Sequence, residues 1–205
     1  MKENWLELAQ KLQSIAQSGL YYSTNEFEIE RYKMVMEIAE EMISMKTGFN
    51  KEEIHRLFIS EAGHSTPKVD VRGVVFKDDK ILLVKEKVDG KWTVPGGWAD
   101  VGFSPSENAE REVFEESGFR VKAKKVLAVY DRNKQGHTPY IFHLYKIFFL
   151  CEITGGESKT SFETEDVGFF ALDELPELSI GRVTRKQIER FFEHYKNPDL
   201  PTDFD

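Results

Sequence analysis

The chain has 205 residues, room for one domain or for a medium domain with a small appendage. Its 40% hydrophobic content, with 16 phenylalanines, can fill a sizeable core, while a formal charge of -8 disfavours broad electrostatic binding to long nucleic acids or anionic membranes. A single cysteine, Cys151, excludes any intramolecular disulfide and, lying in an apolar run, reads as buried packing.

The opening Met1-Lys2-Glu3-Asn4 does not read as a signal peptide. The longest apolar stretch, around Ile147 to Cys151, is far too short to span a bilayer. The expectation is a soluble, cytoplasmic protein with no membrane partner. Trp5, Leu8, Ala9, Leu12, Ile15 and Ala16 recur at a helical period, as do Tyr32, Val35, Met36, Ala39, Met42 and Ile43. A third short helix is predicted after Asn50, with Ile54, Leu57 and Phe58 on one face. The small, polar segment Glu61 to Pro67 then reads as a linker. This places a helical N-terminal module at 1–62, expected to dimerise, before a second domain at 68–205.

The second part changes period. Val69 to Phe76 and Lys80 to Lys85 read as strands across an Asp78-Asp79 turn. Further strands are predicted at 121–131, 140–153 and 166–171, a turn at Gly155-Gly156, and a last helix over 183–195. Between them lies the most informative stretch, Arg111-Glu112-Val113-Phe114-Glu115-Glu116-Ser117-Gly118-Phe119. Ser104 can N-cap this helix, Pro105 suits its first position, Glu107 completes a capping box, and Gly118 can end it. Glu112, Glu115 and Glu116 then share one face at i, i+3 and i+4. An acidic helix is usually a solvated surface. Here Pro95-Gly96-Gly97 precedes it, where glycine lets backbone approach an ion or ligand, and hard carboxylate oxygens suit a divalent cation.

These residues resemble the signature of the Nudix hydrolases, G-x5-E-x7-R-E-U-x-E-E-x-G-U with U apolar. Gly97, Arg111, Glu112, Val113, Glu115, Glu116, Gly118 and Phe119 fall on it in register, whereas the first glutamate is replaced by Phe103. Glu107, one turn before Arg111, is a candidate to replace the lost carboxylate and equally a plain capping residue. The resemblance spans roughly residues 68 to 180. It implies an α/β fold, a Nudix-type α/β/α sandwich, here joined to a small all-helical N-terminal domain. The passages Gln17-Ser18-Gly19-Leu20-Tyr21-Tyr22 and Gly96-Gly97-Trp98-Ala99-Asp100-Val101-Gly102 further resemble a bacterial subgroup that cleaves CDP-choline and other X-linked nucleoside diphosphates.

The resemblance implies a metal-dependent pyrophosphohydrolase using Mg2+ or Mn2+, since no His/Cys spacing suggests zinc. Glu112, Glu115 and Glu116 are assigned to the metal, with the Gly96 carbonyl as a further ligand. Arg111 is expected to orient a carboxylate, Glu112 or Glu116 to take part in catalysis, and Glu163 to supply a downstream acid, with Glu165 and Asp166 as competitors. Arg72, Trp98 and Asp131 are candidates for substrate binding. Arg72 could instead pair with an acid, and Trp98 could instead pack in the core. His137 and His143 are read as structural. The expected partner is a small nucleoside diphosphate derivative, with CDP-choline ranked first and ADP-ribose second. Trimming of RNA 3′ ends is a side activity to consider, and a non-catalytic ligand sensor is the alternative of a different class. A homodimer is expected.

Overall fold

A computed structural model of the chain describes residues 5–205. The described residues up to Pro67, with Pro139–His143, form one compact unit; Lys68–Thr138 and Leu144–Asp205 form the other. The first unit is built of three helices, α1 (Trp5–Tyr22), α2 (Glu26–Ser44) and α3 (Lys51–Ile59). Asn25 caps α2 by accepting from the Phe27 and Glu28 amides, and Asn50 with Glu53 closes a capping box on α3. Ala9, Ala16, Met36, Ile43, Ile54 and Phe58 form the core, following the helical period of the sequence.

Residues 139–143 depart from the expected strand. Ile141 is buried in the helical core, the Phe142 ring lies 6.2 Å from that of Phe58, and the Tyr140 carbonyl accepts from Gln10 Nε2 at 3.0 Å. An aromatic, β-branched run satisfies a strand pattern by residue type, yet burial against helices satisfies the same residues.

The second unit is a mixed sheet with helices on both faces. Its elements are β1 (Lys68–Lys77), β2 (Lys80–Glu86), β3 (Trp92–Thr93), β4 (Gly96–Trp98), α4 (Pro105–Ser117), β5 (Phe119–Asp131), β6 (Leu144–Gly156), β7 (Thr164–Phe170), α5 (Arg185–Lys196) and β8 (Asp203–Phe204). The strand order is β3-β2-β1-β6-β5-β8, with β4 on β1 and β7 on β2. Asp78 and Asp79 both take positive φ (50° and 58°), the two-residue turn that matches the twist of a β-hairpin. Gly155 and Gly156 do not turn the chain: they pair with Arg120 and Phe119 and extend β6.

One face of the sheet packs Val74, Leu83, Tyr130 and Phe148 against Ile188, Phe191 and Phe192 of α5. The other packs Val75, Leu82 and Phe149 against Ala109 and Val113 of α4. No helix among the described residues is long and apolar enough to cross a membrane.

Candidate active site

Helix α4 is pinned at both ends. Ser104 accepts from the Glu107 amide while Glu107 Oε2 accepts from the Ser104 amide at 2.8 Å, with Pro105 inside the first turn. Gly118 ends the helix at φ 79°, and its amide donates to the Phe114 carbonyl at 2.8 Å. Glu107 is therefore a capping residue here, and its carboxylate is directed to Ser104 rather than to Arg111.

The glycine turn meets this helix through Glu116. The Gly96 amide donates to Glu116 Oε2 at 2.9 Å. Gly96 has φ 139°, and a Cβ there would stand 2.6 Å from the Arg72 Cα, so only glycine lets β4 lie this close to β1. Glu116 is 5% exposed, and burial pushes its carboxyl up to about 8, the like charges of Glu86 and Glu112 adding to the rise while Arg72 and the Gly96 amide oppose it. Glu112 is also raised by burial, with Arg111 and Arg72 opposing and the charges of Glu115 and Glu163 reinforcing. Its Oε2 lies 3.4 Å from where a Cβ at Gly97 would stand, so a side chain there would crowd the carboxylate.

Arg111 is the organiser of the helix's outer edge. Its guanidinium donates to Glu115 at 3.1 Å, Glu112 at 3.2 Å, Asn108 Oδ1 at 3.3 Å and the Asp100 carboxylate. Asn108 in turn accepts from the Asp100 amide at 3.0 Å and donates to its carbonyl at 3.2 Å, fixing that loop. The Phe103 ring, at the position of the missing signature glutamate, faces the guanidinium 5.2 Å away. Beside Phe103, the carboxylate that Arg111 meets from this loop is that of Asp100.

Arg72 is 3% exposed, and four hydrogen bonds engage its guanidinium. It bonds Asp70 at 3.0 and 3.1 Å, the Val94 carbonyl at 2.8 Å and Thr93 Oγ1 at 3.3 Å. Pairing with an acid, the alternative left open by the sequence, is what the structure adopts, and Arg72 acts on Glu116 through its charge. Lys146 completes the buried group, donating to Asp70 Oδ1 at 2.7 Å. Burial would raise Asp70, but Arg72 and Lys146 together hold it below the usual carboxylate range.

Glu163 sits on a braced loop. Thr164 Oγ1 donates to the Glu116 carbonyl at 2.9 Å, the Lys87 amide to the Glu163 carbonyl at 2.9 Å, and Lys87 Nζ to the Ser161 carbonyl at 2.8 Å. The Glu163 charge is felt by both Glu112 and Glu86. Of its competitors, Glu165 is paired with Lys85 at 2.6 Å and Asp166 accepts from the Val167 amide.

Glu86 was not anticipated. It is 5% exposed, paired with Arg182 Nε at 3.0 Å, and its carboxyl is raised by burial. A register shift between Lys85 and Glu86 against β7 re-aims the strand's end. The available signal was a carboxylate at the same strand parity as Leu82 and Val84.

The remaining candidates lie apart from the carboxylates or at their edge. Glu115 is 51% exposed at its side chain and held by Arg111. Trp98, on β4, is half exposed rather than in the core. Asp131 caps the turn at Arg132–Lys134 through the Asn133 amide. His137 bonds the Ile180 carbonyl at 2.6 Å and Gln187 at 3.2 Å, and burial pushes its ring down to about 4.

Among the described residues no three His, Cys, Asp or Glu side chains are gathered closely enough to enclose an ion by themselves. The donor chemistry still fits a divalent cation. Glu112 and Glu116 are hard oxygen donors whose charges are crowded together with those of Glu86 and Glu163, a crowding that a dication relieves.

Residues 66–191 match the NUDIX domain, and residues 3–58 match a family described as a UDP-X-like, N-terminal oligomerisation domain. The chain is 42% identical over 205 residues to a Bacillus subtilis protein named as a candidate ADP-ribose pyrophosphatase, YjhB, covering 100% of this chain and 99% of that one. A solved ADP-ribose pyrophosphatase from Streptococcus suis is 43% identical, with a TM-score of 0.63 over 68% of this chain and 100% of that chain. A solved UDP-X diphosphatase is 31% identical, with a TM-score of 0.64 over 98% of both chains. A capped helix carrying Arg111, Glu112, Glu115 and Glu116, seated on a glycine turn within a matching domain, makes this chain a Nudix hydrolase, one of that family's pyrophosphatases.

Proposed function

We propose that the protein hydrolyses a sugar-linked nucleoside diphosphate, with ADP-ribose its preferred substrate. The observation that carries the reading is the seating of Glu116 and Glu112 against the Gly96–Gly97 turn, in a chain whose full-length relative is named for ADP-ribose. Nudix hydrolases use divalent cations such as Mg2+ or Mn2+; bound by Glu112 and Glu116, with Glu115 and the Gly96 carbonyl as outer candidates, such an ion supplies neutralisation of the diphosphate oxygens and acidification of water. The chain's own residues do the rest. Gly96 holds the Glu116 carboxylate, Arg111 orients Glu112, and Glu163 accepts the proton of the attacking water. Water adds to one phosphorus, the bridging P–O bond breaks, and a nucleoside monophosphate leaves with the phosphorylated X group. Trp98, half exposed at the end of β4, is our candidate to stack on a base or sugar. Arg72 and Asp131 have weaker claims to substrate contact, since the bonds described above already engage both.

The similarities reverse the order of substrates expected from sequence alone. The relatives compared above are named for ADP-ribose and UDP-X, so CDP-choline falls behind, and RNA 3′ ends gain no support. A direct test is turnover of ADP-ribose, UDP-glucose, CDP-choline and a labelled oligonucleotide with Mg2+ or Mn2+. ADP-ribose is expected to give AMP and ribose 5-phosphate at the highest kcat/KM, and Glu112→Gln to lower that rate roughly 100-fold or more. Preference for CDP-choline would restore the original order.

The helical unit supports self-association. Leu8, Ile15 and Tyr22 recur every seven residues on α1, Met34 and Ile38 lie along α2, and Met45 caps its end; all are exposed. A stripe of this kind in a unit matching an oligomerisation domain fits a second copy of the chain, as a homodimer.

A further inference from the structure

We propose that the helical unit carries a second small-molecule site, separate from the pyrophosphatase centre, which takes an organic ammonium ion with an apolar body. A cavity of about 510 Å³ is formed wholly within this unit, inside the size range of small-ligand pockets. Leu20, Met36, Phe58 and Ile59 give it an apolar wall, and Tyr21 also lines it.

Glu40 defines its chemistry. It stands on the inward face of α2, in line with Met36 and Ile43, where the helical period calls for an apolar residue, and it is 1% exposed. A carboxylate in such a position lowers stability unless its oxygens are satisfied. Its side-chain partner among the described residues is Nδ1 of His55, 2.7 Å from Oε1, and an ionised carboxylate can accept several hydrogen bonds. Glu40 also lines the cavity. An ammonium group there can donate to Glu40 while its carbon chain lies on Leu20, Met36 and Phe58.

The rest of the lining sets the sign of the ligand's charge. Glu37 joins Glu40, against Lys33 and the His55 ring. The buried Glu40 carboxylate with Glu37 beside it disfavours a nucleotide or sugar phosphate, so neither substrate nor product of the hydrolase centre suits this cavity. The same charges equally disfavour a fatty acid of similar size.

Calorimetric titration of the full-length protein with n-hexylammonium, n-hexanol and hexanoate tests the assignment, with oligomeric state followed by light scattering. Hexylammonium should bind saturably, one per chain and about tenfold or more tighter than hexanol, with hexanoate not binding. Glu40→Gln should remove that preference while ADP-ribose turnover is retained. Lys33→Glu, an exposed change that keeps Glu40, should strengthen hexylammonium binding and serves if Glu40→Gln does not fold. Equal affinity for hexanol and hexylammonium, absence of saturable binding, or loss of the ligand as the protein associates would overturn the proposal. The last result would mean that a second copy fills the cavity.

Discussion

At the scale of single residues, the departure from the family signature has a local solution. Phe103 cannot pair with Arg111 through a carboxylate, but its ring faces the guanidinium and Asp100 supplies the charge. Asp100 is a positioning residue in this reading, acting through Arg111 on Glu112. Asp100→Asn should therefore lower kcat about 10–100-fold with KM little changed, as expected for loss of an outer partner of a ligand, and adding Phe103→Glu should restore part of the loss. Wild-type kcat in Asp100→Asn would remove Asp100 from the site. The wild-type chain needs no Phe103→Glu change for turnover.

Lys146 gives a second residue-level expectation. Burial pushes its amine down to about 7, with Asp70 opposing the fall and Arg72 contributing to it. The unfolded chain then binds a proton that the folded chain does not hold between about 7 and the ordinary lysine value. Stability from this group therefore rises with pH across that window, and the group opposes folding most fully below it. Removing it leaves Asp70 still paired with Arg72. Lys146→Met should raise the thermal midpoint at pH 7, with the gain shrinking towards pH 10.

At the scale of elements, α4 is a helix whose ends do much of the positioning. The capping box at Ser104 and the left-handed Gly118 set where the helix starts and stops, and hence where Glu112 and Glu116 stand relative to Gly96. Ser104→Ala should cost about 1 kcal/mol of stability in chemical denaturation, the usual value of an N-cap. Gly118→Ala should cost more, because an added Cβ meets both the strained φ and the Lys159 backbone amide at 3.0 Å. These caps were legible in the sequence because they depend on residues three or four apart. The loop at 161–164 was not. Its place comes from Thr164 bonding the Glu116 carbonyl and Lys87 bonding the Ser161 and Phe162 carbonyls, contacts across dozens of residues.

At the scale of the whole catalytic unit, the C-terminal strand closes the sheet. Asp203 of β8, which pairs with β5, bonds Arg190 at 2.6 and 2.8 Å, Tyr130 at 3.1 Å and His194 at 3.2 Å. Arg190 is the main cause holding its carboxyl down to about 2, with His194 and Tyr130 assisting against burial. A carboxylate whose pKa falls on folding contributes stability above its unfolded value, and loses it as pH falls towards its folded one. Asp203→Asn should thus destabilise by about 1 kcal/mol at pH 7, after allowance for solvent screening, and the difference should vanish as pH falls from about 4 to 2. A constant difference across that range would place the effect elsewhere.

Short-range pattern determined the three N-terminal helices, the Asp78-Asp79 hairpin, the capped acidic helix and the family itself. The elements rest on residues within one or two turns of each other, where periodicity and capping act directly, and the family on a contiguous signature from Gly97 to Phe119. Tertiary structure alone decided that Asp100 rather than Glu107 bonds Arg111, that Arg72 is held by Asp70, and that Glu86 is buried against Arg182. It also decided that 139–143 packs with helices and that Gly155-Gly156 extends a strand. These outcomes depend on which distant side chain or strand is available to satisfy a charge or an apolar face, and nearest-neighbour sequence carries no record of that competition.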